Sequence, residues 1–371
     1  MNDLLKGIKP TLLMGPGPSC VADEVYSAMA KPTIGHLDPY FVSIMDAIKD
    51  QLRVVFNTNN AISMPMSGTG SAGMETCFVN LVEKGDKVLV LTNGVFGVRM
   101  QDVAARLGAE VDVLDATWGE CINPEEVKAK LANNKYDIVA LVHAETSTGV
   151  LSDAASIGAL VKEHGALFIL DCVTSLGGIP VMLDDWYVDA AYSGTQKCLS
   201  CPPGLAPISF SDKALAKLKA RKTKVPNWYL DLSLIASYWE GTTRTYHHTA
   251  PINMEYALYA SLKLALDEGL ENVYARHQAM HELLVKGLED MGLEMLVPKA
   301  YRLPMLNAVK IPSHVDNEAT IRTALLKEHN IEIGAGLGPL AGKIWRIGLM
   351  GHTARQENVE RLLNALKTVL A

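Results

Sequence analysis

Three short polar clusters in this 371-residue chain carry the side chains that could do chemistry. They are His143-Ala144-Glu145-Thr146-Ser147-Thr148-Gly149, Asp171-Cys172-Val173-Thr174-Ser175 and Ser193-Gly194-Thr195-Gln196-Lys197, and each follows a short apolar run. A lysine drawn in among hydroxyl and amide groups has its pKa lowered and can attack a carbonyl, which is one reading of Lys197. A surface loop lysine is the plainer reading, because lysine is mostly exposed. Asp171 ends the apolar run 166–170. A carboxylate there needs a fixed positive partner, since an unpaired buried charge is costly. A protonated pyridine nitrogen is one such partner, and the ring then serves as an electron sink. Capping of the next turn at Thr174 or Ser175 is the other reading. The spacing speaks for chemistry. Lys197 lies 26 residues beyond Asp171, each at a strand-like end and with hydroxyls around both, which suits one aldehyde cofactor.

A fourth piece, Ser67-Gly68-Thr69-Gly70-Ser71-Ala72-Gly73, follows the apolar run 62–66 and precedes a helix-like stretch at 74–82. Small residues let a backbone approach an anion, and a helix N-terminus offers it unpaired N–H groups. This is a phosphate cradle of neither the Walker A nor the G-x-G-x-x-G kind, and alone it reads equally as a Gly-rich turn.

Such clusters need elements to position them. Buried strands are expected at 87–91, 110–114, 137–142, 166–170 and 190–193, with helices at 98–107, 124–132 and 154–163 between them. This alternation implies a mostly parallel sheet covered by helices on both faces, with its ligand beyond the carboxyl ends of the strands. From about Pro251 the pattern changes. Helices at 254–266 and 270–291, strands at 294–297, 307–311, 331–334 and 344–347, and a last helix at 354–370 read as a smaller α+β domain. The length suits two such units.

Composition is that of an ordinary globular protein, 49% hydrophobic and 20% charged, with net charge −7 and no long run of one sign. That excludes a basic nucleic-acid footprint. No apolar run reaches membrane-spanning length. The start, Met1-Asn2-Asp3-Leu4-Leu5-Lys6, lacks the pattern of a signal peptide. Six scattered cysteines read as free thiols in a reducing compartment, so a cytoplasmic location is expected.

The ordered set of motifs resembles the class V, fold-type I aminotransferases that use pyridoxal 5'-phosphate (PLP), and among them the alanine–glyoxylate and serine–glyoxylate (serine–pyruvate) group. Besides the clusters above, the matching pieces are Leu13-Met14-Gly15-Pro16-Gly17-Pro18-Ser19, Asn93-Gly94-Val95-Phe96-Gly97, Pro202-Pro203-Gly204, Tyr246-His247-His248-Thr249 and Arg346-Ile347-Gly348, spread over nearly the whole chain. The resemblance implies a Schiff base on Lys197, which would also shuttle the proton at substrate Cα. Asp171 would pair with the pyridine nitrogen, Val173 and Phe96 would cover the two ring faces, and Thr146 would bond near the ring hydroxyl. Thr69, Gly70, Ser71 and Gln196 would hold the phosphate. Tyr246 and Thr249 would reach the cofactor of a second subunit, making a homodimer with shared sites. Arg346 would grip the substrate carboxylate and Gly17 would line the substrate pocket. Residues 1–20 would form an N-terminal segment serving pocket and dimer, 21–252 the large PLP-binding domain and 253–371 the small domain. Two positions depart from the group's pattern: Phe96 stands where a Trp is frequent, and Ser71 where a His is.

The implied reaction is transamination between alanine or serine and glyoxylate or pyruvate. The same chemistry on aminoethylphosphonate, taurine, ureidoglycine or pyridoxamine is the alternative, and Arg346 favours substrates with a carboxylate. A PLP lyase or cysteine desulfurase would need a catalytic cysteine on a mobile loop, and 331–350 has none. Intact Lys197, Asp171 and Arg346 argue against a binding module without turnover. Cys198-Leu199-Ser200-Cys201 lacks a redox or metal context, and His247-His248 lacks a third ligand, so no metal is expected. His143 reads as a satisfied strand-end residue. Among the tryptophans, Trp345 beside Arg346 is the one placed to reach a pocket.

Overall fold

The computed structural model describes residues 4–241 and 243–371; residues 1–3 of the N-terminal segment lie outside the described residues. Seven strands form the central sheet: β1 Ile62–Ser67, β2 Lys87–Thr92, β3 Glu110–Asp115, β4 Ile138–Val142, β5 Leu167–Asp171, β6 Ala190–Tyr192 and β7 Leu205–Phe210. Their order across the sheet is β1-β7-β6-β5-β4-β2-β3. The strands from β6 to β3 pair in parallel, whereas β7 runs antiparallel to both of its neighbours.

The inner strands β2, β4, β5 and β6 are apolar runs because both faces are covered, whereas the edge strand β3 is half-exposed and alternates apolar with acidic residues. In β5, Leu167 and Ile169 join one core layer while Phe168 and Leu170 join the other. Each side chain so buried contributes roughly 2 kcal/mol by transfer from water. Helices Gly70–Leu81 and Val95–Arg106 cover the first face, and Pro124–Asn133 and Ala154–His164 the second. The last of these is punctuated in sequence: Asp153 accepts from Ser156 N at 3.0 Å, and Gly165 closes the helix at φ +87°.

Helix Ile252–Glu268 sends Ala257, Leu258 and Leu262 into the second layer, so it belongs by packing to the large unit. Beyond Gly269 a second core gathers helices Leu270–Asp290, Glu318–His329 and Gln356–Leu370 around an antiparallel sheet. Its strands are β8 Leu306–Lys310, β9 Gly334–Ala335 and β10 Ile344–Gly348, in the order β8-β10-β9. The strand expected at 294–297 reduces to one bridge, Met295 with Val309. That expected at 331–334 divides: Ile331–Glu332 pairs in parallel with Leu12–Leu13, and Gly334–Ala335 pairs with β10. Leu12 and Met14 thereby enter the small-domain core. No helix among the described residues is long and apolar enough to cross a membrane.

Candidate active site

The ends of β1, β4, β5 and β6 converge on one cavity of about 190 Å³. At its floor, Asp171 Oδ1 accepts from Val173 N and Oδ2 from the Tyr192 hydroxyl, each at 2.8 Å. Burial pushes the Asp171 carboxyl up to about 7, against the pull of those two donors. A cation placed before it would draw off the proton and form a charge-assisted bond.

Lys197 enters from the next strand end, 9% exposed. Burial lowers its amine to about 8 from the ordinary 10.5. Its Nζ donates to the carbonyl of Pro16. Gly17 lies against it at φ +105°, a conformation that strains any other residue, and a Cβ there would fall 2.5 Å from Nζ and displace the amine. A depressed pKa means that the neutral amine is populated above about pH 8. Attack of apoprotein on an aldehyde should therefore rise with pH and reach half its plateau near 8; stopped-flow absorbance checks this, and a midpoint near 10.5 would refute the burial argument.

Thr69 caps helix Gly70–Leu81 at the opposite end of the cavity. A Cβ at Gly70 would lie 3.1 Å from Val173 Cγ2, so the glycine keeps this turn close against Val173. Ser71 lies on the first turn, and the buried Gln196 Oε1 has no protein partner. A helix N-terminus with hydroxyls beside it is an anion cradle. Val173 and Phe96 supply apolar lining, and the Arg99 guanidinium sits 4.9 Å from the centre of the Phe96 ring.

Nine of the expected residues thus line one cavity: Thr69, Gly70, Ser71, Phe96, Thr146, Asp171, Val173, Gln196 and Lys197. Gly17 covers Lys197 from the side. Arg346 is buried on β10; its Nε donates to Ala335 O at 2.6 Å and its Nη1 to Thr146 O at 3.2 Å. Its charge acts on Lys197, lowering the amine further. Tyr246 and Thr249 are exposed and are not among the cavity-lining residues. Trp345 does not reach the site. Adjacent strand residues face opposite ways, and Trp345 is fully buried in the small-domain core. Tyr192, Met74 and Arg99 line the cavity without having been singled out. Tyr192 alone left a signal, as a polar aromatic at the end of an apolar run. Cys198 donates to Thr174 O at 3.0 Å, and burial pushes its thiol up to about 12.

An amine nucleophile, a carboxyl before a cation site and an anion cradle line one cavity whose walls include Val173 and Phe96. These are the complements of the aldehyde, pyridine nitrogen and phosphate of PLP, so the residues fit that cofactor.

Comparisons agree. Residues 21–362 match the class V aminotransferase family. The rat alanine–glyoxylate aminotransferase is 41% identical over 98% of this chain and 88% of its own length. The (S)-ureidoglycine–glyoxylate transaminase of Bacillus subtilis is 38% identical over 96% of this chain and 90% of its own. The crystal structure of an alanine–glyoxylate aminotransferase from Nostoc sp. superposes with a TM-score of 0.96 at 48% identity, covering all of both chains. The cavity, the sheet that builds it and these likenesses converge: the chain belongs to the class V aminotransferases, PLP-dependent transaminases of fold type I.

Proposed function

We propose that the protein moves an amino group between a small amino acid, alanine or serine, and glyoxylate or pyruvate. The observation that carries this reading is Arg346. Its guanidinium is buried, its bonds to Ala335 and Thr146 go to backbone carbonyls, and its charge is felt at Lys197. The remaining N–H groups of such a fork suit a substrate carboxylate. The rat and Nostoc relatives, both named for alanine and glyoxylate, support it.

Bound in the cavity, PLP supplies an electron sink for the substrate's α-carbon. Lys197 Nζ would hold the cofactor's aldehyde carbon and, once the incoming substrate amine takes its place there, would be the free amine that takes up the proton from substrate Cα. Asp171, held by Val173 N and Tyr192, keeps the ring nitrogen protonated. Val173 and Phe96 hold the ring faces, Thr146 bonds the ring hydroxyl region, and Thr69, Gly70, Ser71 and Gln196 hold the phosphate. Gly17 shapes the substrate pocket. Tyr246 and Thr249 complete the site of a second subunit in a homodimer; their exposure in this chain supports that role. The N-terminal segment through residue 20 serves the pocket and the dimer, and six free cysteines fit a cytoplasmic location. A second reading, ureidoglycine as donor, is favoured by the Bacillus relative.

The deciding experiment adds one donor at a time to PLP-loaded protein and follows the visible band of the lysine-bound cofactor. Alanine or serine should bleach it, and glyoxylate or pyruvate should restore it. Bleaching by ureidoglycine alone would replace the first reading with the second. Protein that binds no PLP would sink both.

A further inference from the structure

Glu145 is a fully buried acid beside the cavity to which the reading above gives no role. Its Oε1 accepts from Ser147 N at 3.0 Å and from the Ser147 hydroxyl at 2.6 Å. Its Oε2 accepts from Phe96 N at 3.1 Å. The same Ser147 hydroxyl accepts from Val95 N at 2.9 Å, so one hydroxyl links the acid to the first turn of helix Val95–Arg106. Burial pushes its carboxyl upward, and these partners, all donors, together with the positive end of the helix dipole, pull the other way toward the anion. Gly94 makes the fit possible: a Cβ there would fall 2.4 Å from Glu145 Cγ and from Ser147 Oγ. The segment reaches the opposite way as well. The carbonyl of Thr146, the next residue, accepts from Arg346 Nη1, and the acid's charge supports that of the guanidinium. Residues 145–147 therefore touch both the backbone that carries Phe96 and the side chain that grips the substrate.

We propose that Glu145 is a positioning residue that fixes Phe96 against the cofactor ring and, through Thr146, holds Arg346 for the substrate carboxylate. The proposal rests on the PLP-transaminase reading above. It differs from a mere helix cap in what it moves. A cap sets stability; this acid sets cofactor affinity, ring geometry and substrate KM together.

The test is Glu145→Gln, which keeps the shape but turns an NH2 group toward N–H donors. The PLP dissociation constant and the circular dichroism of the bound cofactor should be measured, beside the KM and kcat of the amino donor. Loss of one charge-assisted bond predicts PLP affinity and donor KM each weakened about tenfold, and the cofactor dichroism reduced. Ser147→Ala removes the relay and keeps the acid; it should shift the same three quantities in the same direction by about threefold, and it stands in if Glu145→Gln does not fold. Unchanged affinity, dichroism and KM in a folded variant overturn the proposal, whatever the melting temperature does. Wild-type protein that takes up no PLP would instead overturn the transaminase reading beneath it.

Discussion

Lys197→Ala lowers transamination by about four orders of magnitude or more, because the covalent anchor and the group that moves the Cα proton are lost together. The variant should still bind PLP, and borohydride should no longer fix it to the protein; mass spectrometry of the treated chain checks this. A residual adduct on another lysine would refute the assignment. Loss of folding will not confuse the result. The folded pKa of Lys197, about 8, lies below the ordinary 10.5. Burying the charged amine therefore costs stability in full below pH 8, and that cost disappears as pH rises past 10.5. Removing the amine relieves it, so at pH 7 the apoprotein variant should melt no lower than wild type by calorimetry.

Arg346→Lys raises the KM of the amino acid about thirtyfold while leaving the PLP dissociation constant within about twofold. A lysine retains the charge and loses the planar fork, and a buried, paired charge costs about 2 kcal/mol or more when one partner is lost. The fork is held in advance by its bonds to Ala335 O and Thr146 O, which a lysine cannot both make. Steady-state kinetics beside cofactor titration separate the two quantities. Equal loss of both would contradict the carboxylate role.

The inner strands β2, β4, β5 and β6 were legible because both of their faces are covered, so each is an apolar run between breakers; the edge strand β3, half-exposed, was legible by its alternation of Val111 and Val113 with acidic residues. β1 and β7 were not expected as strands: each carries a proline, Pro65 and Pro207, and the two pair antiparallel with those prolines opposite each other. The helix starts at Pro124, Ala154 and Leu270 were legible, and one start was not. The helix expected at 98 begins at Val95, because its first N–H groups are satisfied by Glu145 and Ser147, some 50 residues away. Lys197 and Asp171 could be read because Asp171 ends β5 and Lys197 follows just beyond the end of β6, the strand paired beside it. Tyr192 and Glu145 act through partners that only the folded chain supplies. Trp345 misled because adjacency in sequence means opposite faces in a strand.

The loop over Lys197 has a mechanical meaning. Pro16, whose carbonyl restrains the amine, hangs from the small domain through the Leu12–Leu13 pairing, the Met14 N bond to Glu332 O and the bond from Gly348 N to Met14 O. Gly348 lies two residues beyond Arg346 on the same strand. On the proposed reading, the grip on one end of the substrate and the restraint on the base at the other thus share one hydrogen-bonded frame, the pairing of Leu12–Met14 with Ile331–Glu332 and Gly348. An amine with nothing for Arg346 to hold would forgo that shared mount, and discrimination against it would show in its turnover as well as in its KM.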